Sequence, residues 1–181
     1  MDWDNKIASK DPYNRFRFGI PPGQDKADFA FIQHMFSSLN DKGQVAVICF
    51  QGVLFRGNEE SRIRENMITE DIIEGIIALP PKLFFGTGIP CCILILNKKK
   101  LEKRKNKIIF IYAAKDFEEG KVRNLLREED IDTNSHKEIP YELKVSILIM
   151  MDYVFWYGRM KRCVWTINSF NPYYDGLCFL I

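Results

Sequence analysis

The sequence predicts an α/β protein, the closing half of a doubly wound sheet whose parallel strands are finished by antiparallel ones. Two observations carry this. Between Ala27 and Leu79, helix-period segments alternate with short apolar, β-branched runs, the pattern of helices laid on a parallel sheet. Two more strand-like runs, Cys91 to Leu96 and Ile108 to Tyr112, then follow with only a polar connector between them, which suits antiparallel strands better than a helical crossover.

Residues 1–26 are rich in Asp, Pro, Gly and Asn and keep no period, so they read as loop. Phe31, Ile32, Met35, Phe36 and Leu39 share one face of a helix over 27–39, with Asp25 or Asp28 available as N-cap. Gly43 is expected to stop it in the left-handed conformation. Gln44 to Phe50 is a nearly continuous apolar run, read as a strand buried on both faces. A second helix is expected over 59–70, with Ile63 and Met67 a turn apart, and a second strand over 72–79, closed by Pro80-Pro81. Nothing upstream supplies a neighbour for the far side of the Gln44–Phe50 strand, so an exposed apolar edge is expected there. Residues 116–132 are charged and helix-compatible. Beyond about Thr133 no clean period of 2 or 3.6 survives, and residues 133–181 are read as a separate tail behind a domain over 1–132.

At 181 residues the chain is long enough for one domain with its own core. A net charge of +2 does not announce a nucleic-acid binder, so any DNA contact needs a local basic patch or another subunit. The five cysteines form no C-x-x-C pair, which argues against a zinc site or a disulfide framework and for a reducing cytoplasm. No basic-then-apolar leader opens the sequence. The most apolar run, Val145 to Tyr157, contains Asp152 and falls short of the ~20 residues a membrane helix needs. A cytoplasmic chain without a membrane partner is expected.

Four segments give the sequence a family likeness. They are Asp11-Pro-Tyr-Asn-Arg-Phe-Arg-Phe-Gly-Ile-Pro-Pro22 with Ala27 to His34; Gly52-Val-Leu-Phe-Arg-Gly57 with Glu60 and Ile63-Arg64; Leu79-Pro-Pro-Lys-Leu-Phe84 running into Thr87-Gly-Ile-Pro90 and Ile93 to Lys98; and Ile108 to Ala113 with Leu125 to Asp130. In order and spacing they resemble the methylase subunit of type I restriction-modification systems. The resemblance implies the C-terminal half of a Rossmann-like, S-adenosylmethionine-dependent methyltransferase sheet. It further implies transfer of a methyl group to adenine N6 in double-stranded DNA, with the base flipped out, in a complex with specificity and restriction subunits. The family's Gly-rich cofactor turn has no counterpart in this sequence. Its catalytic Asn-Pro-Pro-aromatic tetrad would lie upstream of Met1, a few residues before the position of Trp3. No catalytic residue is therefore expected in the chain, no cofactor binding by it alone, and no metal. A non-catalytic remnant, or a piece that docks on an intact partner, is the alternative. Asn171-Pro172-Tyr173-Tyr174 resembles the tetrad but lacks the second Pro and follows the closing strands, so a turn is the simpler reading.

Within this frame Phe84 is the candidate floor for the extruded adenine, since base-flipping enzymes need an aromatic there. Thr87, in the loop Gly86–Pro90, would line the same pocket. For Phe84 and Phe85 the alternative is that they cap the core. Arg56 leaves the C-terminal end of a strand, where open α/β sheets bind ligands, and could reach a phosphate; a solvated surface arginine is the alternative. Lys98, Lys99 and Lys100 open a stretch in which seven of ten residues are basic. That stretch reads either as a DNA contact or as a solvated hairpin tip. His34 and His136 have no ligand constellation around them.

Overall fold

The computed structural model describes residues 5–23, 26–135, 142–143 and 162–166. A short helix α1 (Asn5–Ala8) and helix α2 (Asp28–Ser37) lead into β1 (Gln44–Phe50). A 3-10 turn, α3 (Glu59–Thr69) and β2 (Ile73–Ala78) follow, then β3 (Cys91–Asn97), β4 (Lys107–Tyr112), α4 (Glu128–Ser135), β5 (Glu142–Leu143) and β6 (Arg162–Thr166). The strands form one sheet in the order β1-β3-β2-β4-β6-β5.

The expected mixed sheet is present, but its strands are neighbours in an unexpected order. β3 runs antiparallel between β1 and β2, with Gln44 opposite Asn97, Phe50 opposite Cys91 and Ala78 opposite Cys92. β4 lies parallel to β2 on its other side, from Gly75 beside Ile109 to Ala78 beside Tyr112. The hairpin expected between β3 and β4 therefore does not form, because β2 separates them. A short polar connection permits antiparallel neighbours but does not require them. Here it arches over the end of β2. β6, in the tail that the sequence left unassigned, pairs antiparallel with β4.

The strand buried on both faces is β2, not β1. Only Ile77 of β2 is even half-exposed, whereas β1 alternates exposed and half-buried residues. Ile48 is 54% and Phe50 42% exposed. β1 is an edge strand among the described residues, paired through β3 alone, so no described strand pairs with its second side. An apolar run reports what a strand is able to bury, and its neighbours decide what it does bury.

Helix α2 turns a slightly different face inward than expected. Phe29, Ile32, Gln33 and Phe36 are buried while Phe31 is half-exposed. Asp28 is not its N-cap: Ala27 holds that place without a side-chain bond, and the Asp28 carboxylate turns to Arg56 instead. Asp25 lies outside the described residues. Gly43 does not take a left-handed conformation either, since the helix has already ended at Ser38 with right-handed angles. Gly43 is required for room, because a Cβ there would sit 2.7 Å from the Leu39 Cβ. The core gathers Phe18, Phe29, Ile32 and Phe36 against Ile63 and Met67 of α3 and the inner faces of β2, β3 and β4.

Two side-chain amides, buried Gln33 and exposed Asn66, tie the irregular N-terminal segment to this core. Gln33 accepts the Phe18 N–H at 3.2 Å and donates to the Gly19 carbonyl at 2.9 Å, and Asn66 donates to the Phe18 carbonyl at 2.8 Å. At the far end of β2 the buried carboxylate of Glu74 collects three donors: Gln44 and Asn97 at 2.7 Å each and Arg104 at 2.5 Å. Beside it, Lys100 reaches Asp71 at 2.5 Å and the Lys107 carbonyl at 3.0 Å. The basic connector is thus folded down onto two acidic anchors.

Burial raises the Glu74 pKa, but the bonds from Arg104 and Asn97 outweigh it and hold the group below the usual carboxylate range. A carboxylate with a depressed folded pKa stabilises above its unfolded value of ~4.3, and that contribution is lost as pH falls through the folded pKa. Glu74→Gln is expected to cost about 1–3 kcal/mol at pH 7, the scale of a buried polar group losing its partner. In strongly acidic solution the difference from the parent should shrink towards zero. Thermal unfolding of both proteins across that range checks it.

Candidate functional site

β1, β2 and β4 run the same way, so Phe50, Ala78 and Tyr112 end along one rim of the sheet, next to Cys91 where β3 begins. Open α/β sheets bind ligands outside the C-terminal ends of their parallel strands. The connection 79–90 lies over that rim and carries Phe84 and Thr87. Both residues face a cavity of about 300 Å³, where they meet Phe31 and Met35 of α2 and Ile48 and Phe50 of β1. The lining is almost wholly apolar. Asp28 and Thr87 supply its polar side chains, and Cys49 and Cys91 add thiols.

The loop is built to hold this position. Asn124 is buried and donates its side-chain N–H to the Pro81 carbonyl at 2.8 Å, while its backbone N–H bonds the Lys82 carbonyl at 2.9 Å. Lys82 itself sits at φ 53°. Gly86 turns the chain at φ 78°, in the left-handed region that suits glycine, with open space where a Cβ would be. The Thr87 hydroxyl accepts the Ile89 N–H at 3.1 Å. Phe85 does not cap the core; it is exposed, with the Arg123 guanidinium 4.3 Å above its ring.

Arg56 stands at the same end of the sheet, held by acidic groups. It bonds Asp28 at 2.5 Å and approaches Glu60 at 3.4 Å, and its guanidinium lies across Gly52, where a Cβ would come within 2.9 Å of Nε. Burial raises the Glu60 pKa, and the Arg56 charge works against that rise. The ion pair joins the first turn of α2 to the start of α3.

The lysines lie at the opposite end. Asn97, one residue before Lys98, faces Gln44 at the start of β1, a strand length of roughly 20 Å from Phe50 at ~3.3 Å per residue. Lys98 donates to the Leu39 carbonyl and lies 5.5 Å above the Phe36 ring. Lys100 is buried against Asp71, which leaves it no surface for a phosphate, and burial lowers its pKa. Lys99 is exposed. The structure thus brings Phe84, Thr87 and Arg56 to one rim and sets Lys98, Lys99 and Lys100 apart from them.

A second cavity, of about 490 Å³, opens at the lysine end beside Arg15, Arg17 and Lys98. Its arginines are occupied: Arg15 grips Asp11 through two nitrogens at 2.9 and 2.5 Å, and Arg17 bonds Glu70 at 2.6 Å. His34 lies 3.4 Å from Arg15, and no group of three metal-ligating side chains exists among the described residues. His136 and Asn171 to Tyr174 lie outside the described residues. A 3-10 turn follows β1, and the Arg56 side chain fills the space beside Gly52. No helix among the described residues is long and apolar enough to cross a membrane.

Sequence reasoning named Phe84 and Thr87 as candidates for one pocket, and both line this cavity; it did not name the other walls. Phe31 and Phe50 carried a signal only as apolar residues that the structure leaves uncovered, and Asn124 carried none, since its partners are backbone carbonyls of a distant loop.

Comparison with known proteins bears on the whole arrangement. Residues 1–139 match the N-6 DNA Methylase family. The chain is 45% identical over 124 residues to the methylase subunit of the type I restriction enzyme MjaVII of Methanocaldococcus jannaschii, a match covering 66% of this chain and 21% of that protein. It is 39% identical over 113 residues to the HindI methylase subunit of Haemophilus influenzae, covering 62% and 24%. The crystal structure of a type I restriction-modification methyltransferase subunit from Streptococcus thermophilus superposes with a TM-score of 0.68 at 34% identity, over 77% of this chain and 30% of that one. The chain spans about a fifth to a quarter of the length of these curated relatives.

Arg56→Ala strips the buried Glu60 of its nearest cation and Asp28 of its partner. We expect a loss of about 3–5 kcal/mol, the scale for breaking a largely buried pair. A double-mutant cycle with Asp28→Asn, read by chemical denaturation, should show a coupling of about 0.5–3 kcal/mol. Strict additivity would mean that the ion pair contributes nothing to the fold.

Proposed function

We propose, from the premise that this chain belongs to the N-6 DNA methylase family, that it is the target-pocket part of a type I restriction-modification methylase subunit. The intact subunit would methylate adenine N6 in double-stranded DNA, working with specificity and restriction subunits. The observation that carries this reading is the meeting of Phe84 and Thr87 with Phe31 and Phe50 around one apolar cavity at the ligand-binding rim of the sheet.

The cavity suits a single base. Its volume of about 300 Å³ sits at the low end of small-molecule sites, and an extruded base needs apolar walls and an aromatic face to replace the stacking it loses. Phe84 supplies that face, held in place by a loop that Asn124 pins from behind. Thr87 closes the wall beside it. Arg56 secures α2, and so Phe31, against the rim. Lys99, at the far end, is placed to meet DNA backbone only outside the flipped nucleotide. S-adenosylmethionine supplies the methyl group in the intact subunit, and residues other than these would hold it.

The chain alone should not transfer methyl groups, because its sequence carries neither a Gly-rich cofactor turn nor an Asn-Pro-Pro-aromatic tetrad. Tritium from labelled S-adenosylmethionine should stay off unmethylated DNA when the purified chain is the sole protein. Incorporation above a protein-free blank would overturn this. A second reading, a docking piece without activity of its own, is favoured by one observation, the open edge of β1.

Phe84→Ala, made in an intact subunit, is expected to remove about 1–3 kcal/mol of base stacking, or about 5- to 150-fold in methylation. The loss should be smaller on DNA whose target adenine is mispaired, since such a base costs less to flip. Equal loss on paired and mispaired DNA, with a large fall in melting temperature, would make Phe84 a packing residue.

A further inference from the structure

Two thiols that the proposed methylation does not use meet across the β1–β3 ladder. Cys49 and Cys92 are 43 residues apart in sequence, yet they stand directly opposite one another in register, with their sulfurs 3.7 Å apart. The ladder fixes their backbone spacing. The Lys98 N–H bonds the Gly43 carbonyl at 3.1 Å and the Gln51 N–H bonds the Pro90 carbonyl at 3.2 Å, so the odd-numbered residues of β1 make the hydrogen-bonded pairs. Cys49 with Cys92 is one of these, and such pairs hold their Cα atoms about 5.5 Å apart. A disulfide needs roughly 4.4–6.8 Å, most often about 5.5–6 Å. The backbone already stands at bonding distance, and only the two sulfurs have to approach.

The two sulfurs differ in access. Cys92 is completely buried, whereas Cys49 is half-buried and lines the apolar cavity at the rim. A small neutral oxidant that enters the cavity meets Cys49 first. Cys91 also lines the cavity, but as the neighbour of Cys92 it points to the other face of β3, and its thiol lies 3.8 Å from the Ile89 carbonyl. Among the described residues β1 has a single ladder, the one with β3. A covalent bond between Cys49 and Cys92 crosses that ladder one residue before Phe50, where Ile48 and Phe50 help to wall the cavity.

We propose that Cys49 and Cys92 are a peroxide-sensitive thiol pair, joined on oxidation into a cross-strand disulfide that latches the edge strand β1 to β3. In the first step the Cys49 sulfur attacks one oxygen of hydrogen peroxide. An S–O bond forms, the O–O bond breaks, and the second oxygen leaves as hydroxide and takes the thiol proton, giving water. Cys49 is then a sulfenic acid. In the second step the Cys92 sulfur attacks the Cys49 sulfur, the S–O bond breaks, and the hydroxyl leaves with the Cys92 proton as a second water. The two thiols lose two electrons and the peroxide gains them. The bond with Cys49, together with burial, pushes the Cys92 pKa up, so Cys92 stays a thiol until its electrophile is made beside it. Reductant reverses the link, as for the transient disulfides of reducing compartments. Closed, the latch holds the β1 wall of the cavity at a fixed distance from β3.

The test treats the purified full chain, freed of reductant, with stoichiometric hydrogen peroxide and maps its cysteines by mass spectrometry. A peptide pair joined through Cys49 and Cys92 is expected, two hydrogens lighter than the separate peptides and split again by dithiothreitol. Because the link closes a long loop, the melting temperature should rise by roughly 5–15 °C, and hydrogen exchange at amides of 44–50 should slow. Cys92→Ala should leave Cys49 as a sulfenic acid that dimedone traps, and Cys49→Ala should leave Cys92 unoxidised, while Cys91→Ala should keep the link. Mapping the parent chain does not depend on any of these variants folding. Absence of the 49–92 link overturns the proposal, and so does a link from Cys49 to any other cysteine or to a second copy. A 49–92 link that forms only after denaturation, or that leaves the exchange of β1 unchanged, overturns it too.

Discussion

The arrangement of the whole molecule depends on β3 pairing on both of its edges. By running antiparallel between β1 and β2, it joins two strands that point the same way and that the chain itself links through α3. That insertion fixes which ends meet. The connection 79–90 must leave the top of β2 and return to the top of β3, so it lies over the rim where β1 also ends. The connection after β3 must start from the opposite rim, so the basic stretch is carried a strand length away. The separation of the aromatic pocket from the lysines is thus a consequence of strand order.

Polar side chains then do what secondary structure does not. Irregular stretches near the core are held by amides or carboxylates bonded to backbone or to a cation. Gln33 and Asn66 hold 18–19, Asn124 holds 81–82, and Asp71 and Glu74 hold the connector with Lys100 and Arg104. Where the group is buried, as at Gln33, Glu74 and Asn124, an amide or carboxylate left without its partner is expensive. The thiols of Cys49 and Cys92, 3.7 Å apart across β1 and β3, belong to the same packed layer, and the hydrogen bond between them, with burial, raises the Cys92 pKa.

The elements were legible from local pattern, and their partners were not. The helices over 28–37 and 59–69 and the strands over 44–50, 73–78, 91–97 and 107–112 all fall where apolar spacing puts them. The hairpin between β3 and β4 failed because a short connector is compatible with more than one neighbour. The burial of β1 failed because an apolar run is silent about what covers it. Phe84 and Thr87 were named as candidates through the loop's likeness to a known family, while Phe31 and Phe50 came beside them only once strand order was fixed. Among the basic residues, the sequence showed charge but not the acidic groups, Asp71 and Glu74, that already claim it.

Strand order also sets an order of assembly. β2 and β3 are joined by the shortest of the connections that link paired strands in the four-strand body, so their pairing closes the smallest loop and loses the least chain entropy. β1 reaches β3 only across α3 and β2, and β4 reaches β2 only across β3 and the basic connector. The antiparallel β2–β3 pair is accordingly the platform on which the other two strands condense, and β1 docks onto a surface that already exists. The strand with the open edge is then held by the later and more separable of the contacts, and its edge is available whenever the platform is.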